Sequence, residues 1–452
     1  MSAQQVQALL AAGRTREAVD LRRRMTAAKP SAASEHNLAA LLGDLGHAAE
    51  AEAAARRAFA HGGDAPETWL VLARAVTGQG RHSEGEAAYR EALRRRPLYV
   101  EALRELSQLI WMTTAERDAA LEPIHGALRQ APAAGALHVL KAVARRYAGD
   151  DPRAIWADLN AAGLDDQPDV QLAALDEALL FDPDQALVHA ARLPAADPRS
   201  RVKQAEVRLV RGEPEPALDL LRPVVAARPH DQNALAMQAT AERLLGIRGL
   251  NDYDALVSGH LIDTPPGWAD LPAFLSDLAG SLRRLHTLKT HPVGQSLRHG
   301  TQTPVDLKAS DDPTIQAFFT AIDGPIRRHI ERLGRGPDPL RGRNRGGYRL
   351  LGCWSVQLRP NGYHAAHVHP EGWLSSACYI ELPDAVEAGG KEGWIGFGAP
   401  PFPVADRMLE PERYEKPEPG KLVLFPSYLW HGTVPFSGEQ PRLTVAFDVA
   451  PA

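Results

Sequence analysis

The sequence is poor in cysteine, in charge of one sign and in long apolar runs. Its 452 residues include only two cysteines, Cys353 and Cys378, and neither lies in a CxxC pair, which excludes a disulfide framework. The 51 basic and 56 acidic residues nearly balance, so the chain has no strong attraction to nucleic acid or anionic membranes. No stretch reaches the roughly 18 apolar residues of a membrane span, and no secretory signal is recognisable. We therefore expect a cytoplasmic protein without nucleic-acid or membrane partners.

The first half of the sequence contains a helical repeat. One set of residues returns after 34 positions: Leu38, Ala39, Gly46, Ala51 and Ala58 recur as Leu72, Ala73, Gly80, Gly85 and Ala92. A period of 34 with this pattern resembles the tetratricopeptide repeat (TPR), which consists of two antiparallel helices. Small residues allow the two helices to pack closely, and the glycine ends the first of them.

Repeats of this kind bury their apolar faces only against neighbouring repeats. We therefore expect residues 1–248 to form an all-α, TPR-like helical solenoid. Its concave surface is expected to hold a peptide or protein partner. A scaffold or dimerisation arm is the alternative role for this region.

The pattern of residues changes near Ile247, and 249–452 form the second predicted domain. Helical periodicity at 271–288 and 313–333 predicts a helical lead-in over 249–345. Short apolar runs and an alternating C-terminal stretch then predict strands at 354–358, 376–380, 421–425 and 442–449. Helices followed by many short strands favour an α+β domain with a jelly-roll core at 346–452. The polar segment at 295–303 shows no strand pattern and is expected to be a loop.

Histidines are the candidate metal ligands of this second domain. His367 and His369 are two positions apart, so at a strand their rings leave the same face and reach one ion. His431 is the candidate third ligand, and three protein ligands on one side leave open coordination positions. One alternative pairs His369 with Glu371 as the first two ligands. A further alternative uses His364, whose spacing of three from His367 suits a helix better than a strand.

Arg442, Thr444, Ala446 and Asp448 share one face of the last predicted strand. A guanidinium buried in a barrel is costly unless an anion meets it. A dicarboxylate cosubstrate would supply that anion with the bidentate geometry that arginine favours. The alternative is a salt bridge from Arg442 to Asp448 or Glu439.

Four sequence segments in the C-terminal half together resemble those of the 2-oxoglutarate Fe(II) dioxygenases. They are QSLRHGTQT from Gln295, HVHPEGWLSS from His367, FPSYLWHG from Phe425 and RLTVAFD from Arg442. The likeness covers roughly residues 268–451 and is closest to bacterial 2OG-Fe(II) oxygenases that carry N-terminal tetratricopeptide repeats. The chain departs from most of the superfamily at His369, where an aspartate or glutamate is usual.

The resemblance implies a double-stranded β-helix, bound Fe(II), 2-oxoglutarate and O2 as cosubstrates, and ascorbate as a reductant in vitro. The metal ligands that it implies are His367, His369 and His431. The residues that it implies around the cosubstrate are Arg442, Thr444, Tyr379 and Ser376.

The expected function is that of a 2-oxoglutarate- and Fe(II)-dependent dioxygenase that hydroxylates a peptide or protein side chain recruited by the repeats. Two alternatives remain open at the level of sequence. The chain is a small-molecule hydroxylase whose repeats serve assembly, or it is a non-catalytic TPR scaffold with a cupin-like barrel.

Overall fold

The computed structural model describes residues 2–452 and divides the chain into two compact units, Met1–Ala144 and Arg145–Ala452. Helices form the first half of the chain: α1 (Ala3–Ala11), α2 (Thr15–Ala28), α3 (Ala32–Asp44), α4 (Ala48–Ala60), α5 (Pro66–Gly78), α6 (His82–Arg95), α7 (Val100–Thr114), α8 (Arg117–Gln130), α9 (Gly135–Tyr147), α10 (Pro152–Ala161), α11 (Pro168–Ala178), α12 (Pro183–Arg192), α13 (Pro198–Val210), α14 (Pro214–Ala227) and α15 (Gln232–Leu244).

The predicted TPR-like repeats are confirmed as successive helix pairs, of which α3/α4 and α5/α6 are the clearest. Gly46 and Gly80 follow the first helix of each pair with φ values of 82° and 78°, in the left-handed region that favours glycine. A Cβ atom on Gly85 would collide with the Thr77 hydroxyl on the partner helix, so close packing of this pair requires a glycine. The 34-residue spacing therefore follows from backbone geometry as well as from apolar burial.

Strands dominate the second half of the chain, together with three further helices. The helices are α16 (Tyr253–Leu256), α17 (Leu271–Arg283) and α18 (Pro313–Leu333). The strands are β1 (Ser258–Leu261), β2 (Leu297–Gln302), β3 (Tyr348–His364), β4 (Leu374–Glu381), β5 (Ile395–Phe397), β6 (Arg413–Glu415), β7 (Lys421–Pro426), β8 (His431–Thr433) and β9 (Arg442–Pro451).

These strands form two antiparallel sheets. The larger sheet has the order β1-β7-β4-β9-β3-β2, and the smaller has the order β6-β5-β8. The strands predicted from apolar runs lie within β3, β4, β7 and β9, and the predicted helices correspond to α17 and α18. An α-helical region followed by an antiparallel-sheet region is thus the observed architecture.

The prediction of a loop at 295–303 is wrong. Residues 297–302 form β2, which pairs with β3 at the edge of the larger sheet. The ladder is interrupted between Arg298 and Gly300, where His299 bulges with a φ of 54°. An edge strand with a bulge keeps polar side chains and breaks the alternation by which strands are recognised.

One face of the larger sheet is covered by α17 and α18. Phe318 of α18 lies edge-on to Phe447 of β9, with 6.4 Å between ring centroids, and both are fully buried. Because side chains alternate along a strand, Phe447 and its neighbours Val445 and Val449 face these helices. Arg442, Thr444, Ala446 and Asp448 therefore face the opposite side of the sheet.

That opposite side also meets helices of the repeat region within the second unit. One apolar cluster joins residues of α11–α15 to Phe402, Val404 and Trp430, with Val368 packed against it. The Trp430 indole donates a hydrogen bond to the Thr240 hydroxyl of α15 at 2.9 Å. Helices of the repeat region thus form part of the wall beside residues 367–369 and 431.

This packing predicts where the chain can be shortened. A chain of residues 145–452 is expected to fold, whereas one of residues 249–452 loses the helices that cover Phe402, Val404 and Trp430. Each such buried side chain contributes about 1.5–3 kcal/mol, so their exposure removes much of a typical folding free energy of about 5–15 kcal/mol. Thermal unfolding of the two fragments is the measurement, and equal, cooperative transitions would contradict this prediction.

The two compact units divide at 144/145. The domain boundary at 248 stays a prediction.

Over residues 2–452, no helix has the length and apolar character needed to cross a bilayer. The cytoplasmic location stays a prediction.

Candidate metal centre

Three histidines converge where β3 ends and β8 begins. His367 and His369 lie in the loop that follows β3, and His431 is the first residue of β8. The backbones of His367 and His431 form an isolated antiparallel bridge, with N–O distances of 3.0 and 3.1 Å. The bridge aligns the two segments, so residues that are far apart in sequence present their imidazoles to one point.

One nitrogen of each ring lies within 4.8 Å of the corresponding nitrogens of the other two. The other nitrogen, Nδ1, faces an acceptor in all three rings: the Ala365 carbonyl for His367 at 2.9 Å, Asp448 for His369 at 2.6 Å, and the Leu429 carbonyl for His431 at 2.9 Å. A carbonyl accepts only, so Nδ1 carries the proton in His367 and His431. Their Nε2 atoms therefore present lone pairs to the shared point.

The spacing of the Nε2 atoms fits a shared cation. Those of His367 and His369 are 3.1 Å apart. Two nitrogens that bind one ion at right angles, each about 2.1 Å from it, are about 3.0 Å apart. With the third imidazole within the same 4.8 Å cluster, the arrangement has the donor set and the geometry of a metal centre.

Burial and neighbouring rings keep the imidazoles of His367 and His431 neutral and available as ligands. Burial, and then the neighbouring His369, lowers the pKa of His367 to about 3. Burial, followed by His367 and His369, holds the pKa of His431 well below its usual range. Neutral imidazole is the form that binds metals.

The two alternative ligand choices are not brought together by the fold. Glu371 lies in an exposed turn and is not a member of the cluster. His364 stacks on His367 with ring centroids 6.0 Å apart, but it is not a member of the cluster of potential ligand atoms, and its Nδ1 bonds the Ser296 hydroxyl at 2.9 Å. The carboxylate that does reach the centre is Asp448, behind His369.

A second feature of the site is a buried arginine whose Nε lacks a partner. Arg442 is 2% exposed, and its Nη1 donates to the Gly393 carbonyl at 3.0 Å. Its Nε has no hydrogen-bond partner among the described residues, and no described carboxylate forms an ion pair with it. The alternative of a salt bridge to Asp448 or Glu439 is thus not observed, because Asp448 is committed to His369 and Glu439 is exposed.

The environment of Arg442 suits an anionic ligand. Its guanidinium lies 5.0 Å from the centre of the Tyr379 ring, and the buried hydroxyl of Tyr379 also has no partner. Burial lowers the pKa of Arg442 and raises the pKa of Tyr379 to about 12. Burial, then His367 and then Arg442, hold the pKa of His364 well below its usual range; since His364 stacks on His367, the charge of Arg442 acts close to the metal centre. Buried donors without acceptors are what a carboxylate ligand would satisfy.

The other two predicted cosubstrate residues lie in different surroundings. Thr444 is on the same face as Arg442, and its hydroxyl approaches the Val356 carbonyl at 3.4 Å. Ser376 does not reach this face, because its hydroxyl bonds both the carbonyl and the amide of Phe447 at 2.9 Å. Its neighbour Ser375 points into the site instead and donates to Asp448 at 2.8 Å.

Two residues near the centre are not among the site residues predicted from the sequence. Trp354 of β3 is half-buried and stacks on His369, with ring centroids 6.0 Å apart and planes 24° from parallel. Asp448 was visible only as one member of the alternating face that also carries Arg442 and Thr444. That shared face was the available signal for Asp448; nothing local marks Trp354.

Residues 352–448 match the sequence model of the family described as "Putative 2OG-Fe(II) oxygenase". The matched segment contains the three histidines, Arg442, Tyr379 and Asp448. No curated protein matches the chain significantly.

Solved structures with some likeness include a tetratricopeptide repeat protein from Parabacteroides merdae, with 13% identity over 52% of this chain and 95% of that chain, at a TM-score of 0.35. PilF of Pseudomonas aeruginosa has 14% identity over 46% of this chain and 96% of its own, at a TM-score of 0.32. A Pseudomonas putida prolyl-4-hydroxylase has 17% identity over 45% of this chain and 97% of its own, at a TM-score of 0.29. Likenesses this weak carry no weight for the function.

The match covers the segment that holds every residue of the centre, and it confirms the resemblance to the 2OG-Fe(II) oxygenase family found in the sequence.

Proposed function

We propose that this protein is a 2-oxoglutarate- and Fe(II)-dependent dioxygenase that hydroxylates a side chain of a peptide or protein held by its TPR-like repeats. The observation that carries the proposal is the convergence of three imidazoles close to a buried arginine without an anion. The proposal includes a double-stranded β-helix as the core. The Phe397 ring of the smaller sheet lies 5.0 Å from Phe425 of the larger, which supports two sheets packed face to face.

In this proposal, His367, His369 and His431 hold Fe(II) through Nε2. Their Nδ1 atoms are fixed by the Ala365 carbonyl, Asp448 and the Leu429 carbonyl, so each ring is already oriented before the metal arrives. Fe(II) with 2-oxoglutarate and O2 supplies the oxidising power: substrate C–H becomes C–OH, and 2-oxoglutarate becomes succinate and CO2.

Arg442 would bind the distal carboxylate of 2-oxoglutarate, and the Tyr379 hydroxyl would donate a second hydrogen bond. Both groups are fully buried, so their interactions with an anion are strengthened by the low local dielectric. Thr444 lies one pleat further along β9 on the same face and would line the same pocket. Ser376 is not proposed to bind 2-oxoglutarate, because its hydroxyl is hydrogen-bonded to the backbone of Phe447.

A protein or peptide substrate is favoured by the position of the repeats in the second unit. Helices α11–α15 share an apolar cluster with Trp430 and Val368, which neighbour the metal ligands in sequence. A chain bound along these helices therefore has a short path to the centre.

The test is turnover by the purified full-length protein with Fe(II), ascorbate, O2 and 2-oxoglutarate. We expect succinate above the level without enzyme, and we expect more succinate with a peptide library than without it. Mass spectrometry should then find peptides that have gained one oxygen atom. If only small metabolites stimulate succinate formation, a small molecule would replace the peptide as the substrate in this proposal. If no succinate forms under any condition, the proposed dioxygenase activity is refuted.

A further inference from the structure

The three-histidine centre has no carboxylate among its ligands, yet one carboxylate lies directly behind it. The Nδ1 of His369 is 2.6 Å from Oδ1 of Asp448, and both side chains are about 15% exposed (14% and 15%). No arginine or lysine among the described residues forms an ion pair with Asp448. Its charge is therefore not neutralised by a basic side chain, and His369 is the group that faces it.

We propose that Asp448 is the positioning residue of this centre, and that it supplies through His369 the negative charge that three neutral imidazoles do not provide. The inference rests on the proposed function. It concerns how this chain holds its metal, and it assigns Asp448 a role without direct contact with the ion.

A short hydrogen-bonded chain fixes Asp448 in place. Ser375 of β4 donates to Asp448 at 2.8 Å, and its hydroxyl also meets that of Ser427 at 2.9 Å. The strand register brings Ser375 directly opposite Asp448, across β4 and β9. Gly372 completes the cluster, because a Cβ atom there would collide with the Ser427 hydroxyl. Three residues from two segments thus serve the orientation of one carboxylate.

The chemistry of such a pair is well defined. A carboxylate that accepts from Nδ1–H fixes the tautomer that leaves Nε2 free, and it makes Nε2 a stronger donor to the metal. The other two imidazoles face backbone carbonyls, which carry no net charge. Of the three ligands, His369 is therefore the one whose donor strength is set by a charged group.

The experiment measures binding of Fe(II) alone, under anaerobic conditions, by titration calorimetry of the full-length protein. Loss of an outer-shell partner typically weakens metal affinity by 10- to 100-fold, and we expect about this loss for Asp448→Ala. Asp448→Asn keeps an oxygen acceptor and removes the charge, so a smaller loss is expected. This partial rescue separates a role in positioning and charge from a role in packing.

Adjacent serines provide a matched control on the same strand. Ser375 and Ser376 are both buried and hydrogen-bonded, but only Ser375 contacts Asp448. Ser375→Ala is expected to weaken Fe(II) binding several-fold, and Ser376→Ala to leave it unchanged. Thermal unfolding of the metal-free proteins checks that the variants fold.

The possible outcomes distinguish a failure of the proposed function from a failure of the role proposed for Asp448. Wild-type protein that binds no Fe(II) would contradict the proposed function itself. Wild-type protein that binds Fe(II), with Asp448→Ala and Ser375→Ala binding it equally well, would overturn the role of Asp448 and leave the dioxygenase intact. Equal losses in Ser375→Ala and Ser376→Ala would also overturn it, because they would reflect general damage to β4.

Discussion

Replacing His431 by alanine is expected to abolish succinate formation, with a loss of more than about 100-fold, which exceeds the usual effect of losing an outer-shell partner. His431 is buried and comes from a separate segment, so its removal leaves only two neighbouring ligands from one loop. Because two imidazoles do not provide the three protein ligands of the proposed centre, Fe(II) affinity and turnover should fall together. Succinate assays and Fe(II) titration of the same preparation measure both.

A histidine on the reverse face of the larger sheet controls for this substitution. His286 is hydrogen-bonded to Thr301 at 2.8 Å and to Ser355 at 3.0 Å, on the side of β3 opposite Trp354 and Val356. His286→Ala removes a polar network of similar size without touching the metal centre. It should keep Fe(II) binding. Turnover that survives His431→Ala, or that is lost equally in His286→Ala, would contradict the assignment of His431.

Arg442→Met is expected to weaken binding of 2-oxoglutarate by about 2–5 kcal/mol, or roughly 30-fold to several thousand-fold, while Fe(II) binding persists. The substitution removes the buried cation that would pair with the distal carboxylate. Arg442→Lys should recover only part of the affinity, because lysine lacks the planar fork of donors. Titration of 2-oxoglutarate into protein loaded with a redox-stable divalent metal measures the effect.

The same substitution should leave the stability of the free protein unchanged or raise it. Arg442 is buried with an unpaired Nε, and replacement of buried charge by an apolar side chain of similar volume is often neutral or stabilising. Arg146 provides the contrast, because it pairs at 2.7 Å with Glu177, which is 1% exposed. Arg146→Met should therefore lower the melting temperature. An Arg442→Met protein that is less stable but binds 2-oxoglutarate normally would show that Arg442 has a structural role.

The convergence of these residues could be predicted because their signals are local. His367 and His369 are two residues apart, and His431 and Arg442 flank the start of a regular terminal strand. The alternation of residues 442–449 predicts that Arg442, Thr444 and Asp448 share one face. The structure brings all three to the site, although the prediction assigned Asp448 only as a possible partner of Arg442.

The remaining site residues depend on strand register, which the sequence does not display. Whether Ser375 or Ser376 faces the metal is decided by the pairing of β4 with β9, and a shift of one residue exchanges the two. The same long-range pairing brings Asp448 to His369 across the sheet. Trp354 lies within a long strand, where an aromatic residue is ordinary, so only its stacking on His369 reveals it.

The organisation of the repeats was also only partly predictable. The 34-residue period identified the clearest helix pairs, but a repeat pattern does not show what the outer faces of helices α11–α15 pack against. Their packing on Phe402, Val404 and Trp430 is a contact between distant segments, and no local pattern encodes it. For this reason a boundary drawn from composition at 248 differs from the division into compact units at 144/145.

The most direct test of the central claim is a crystal structure of the full-length protein with Mn(II), as a substitute for Fe(II), and 2-oxoglutarate. The account predicts one ion bound by Nε2 of His367, His369 and His431, with the distal carboxylate of the diacid on Arg442. An ion bound elsewhere, or a diacid that leaves Arg442 without an anion, would contradict it.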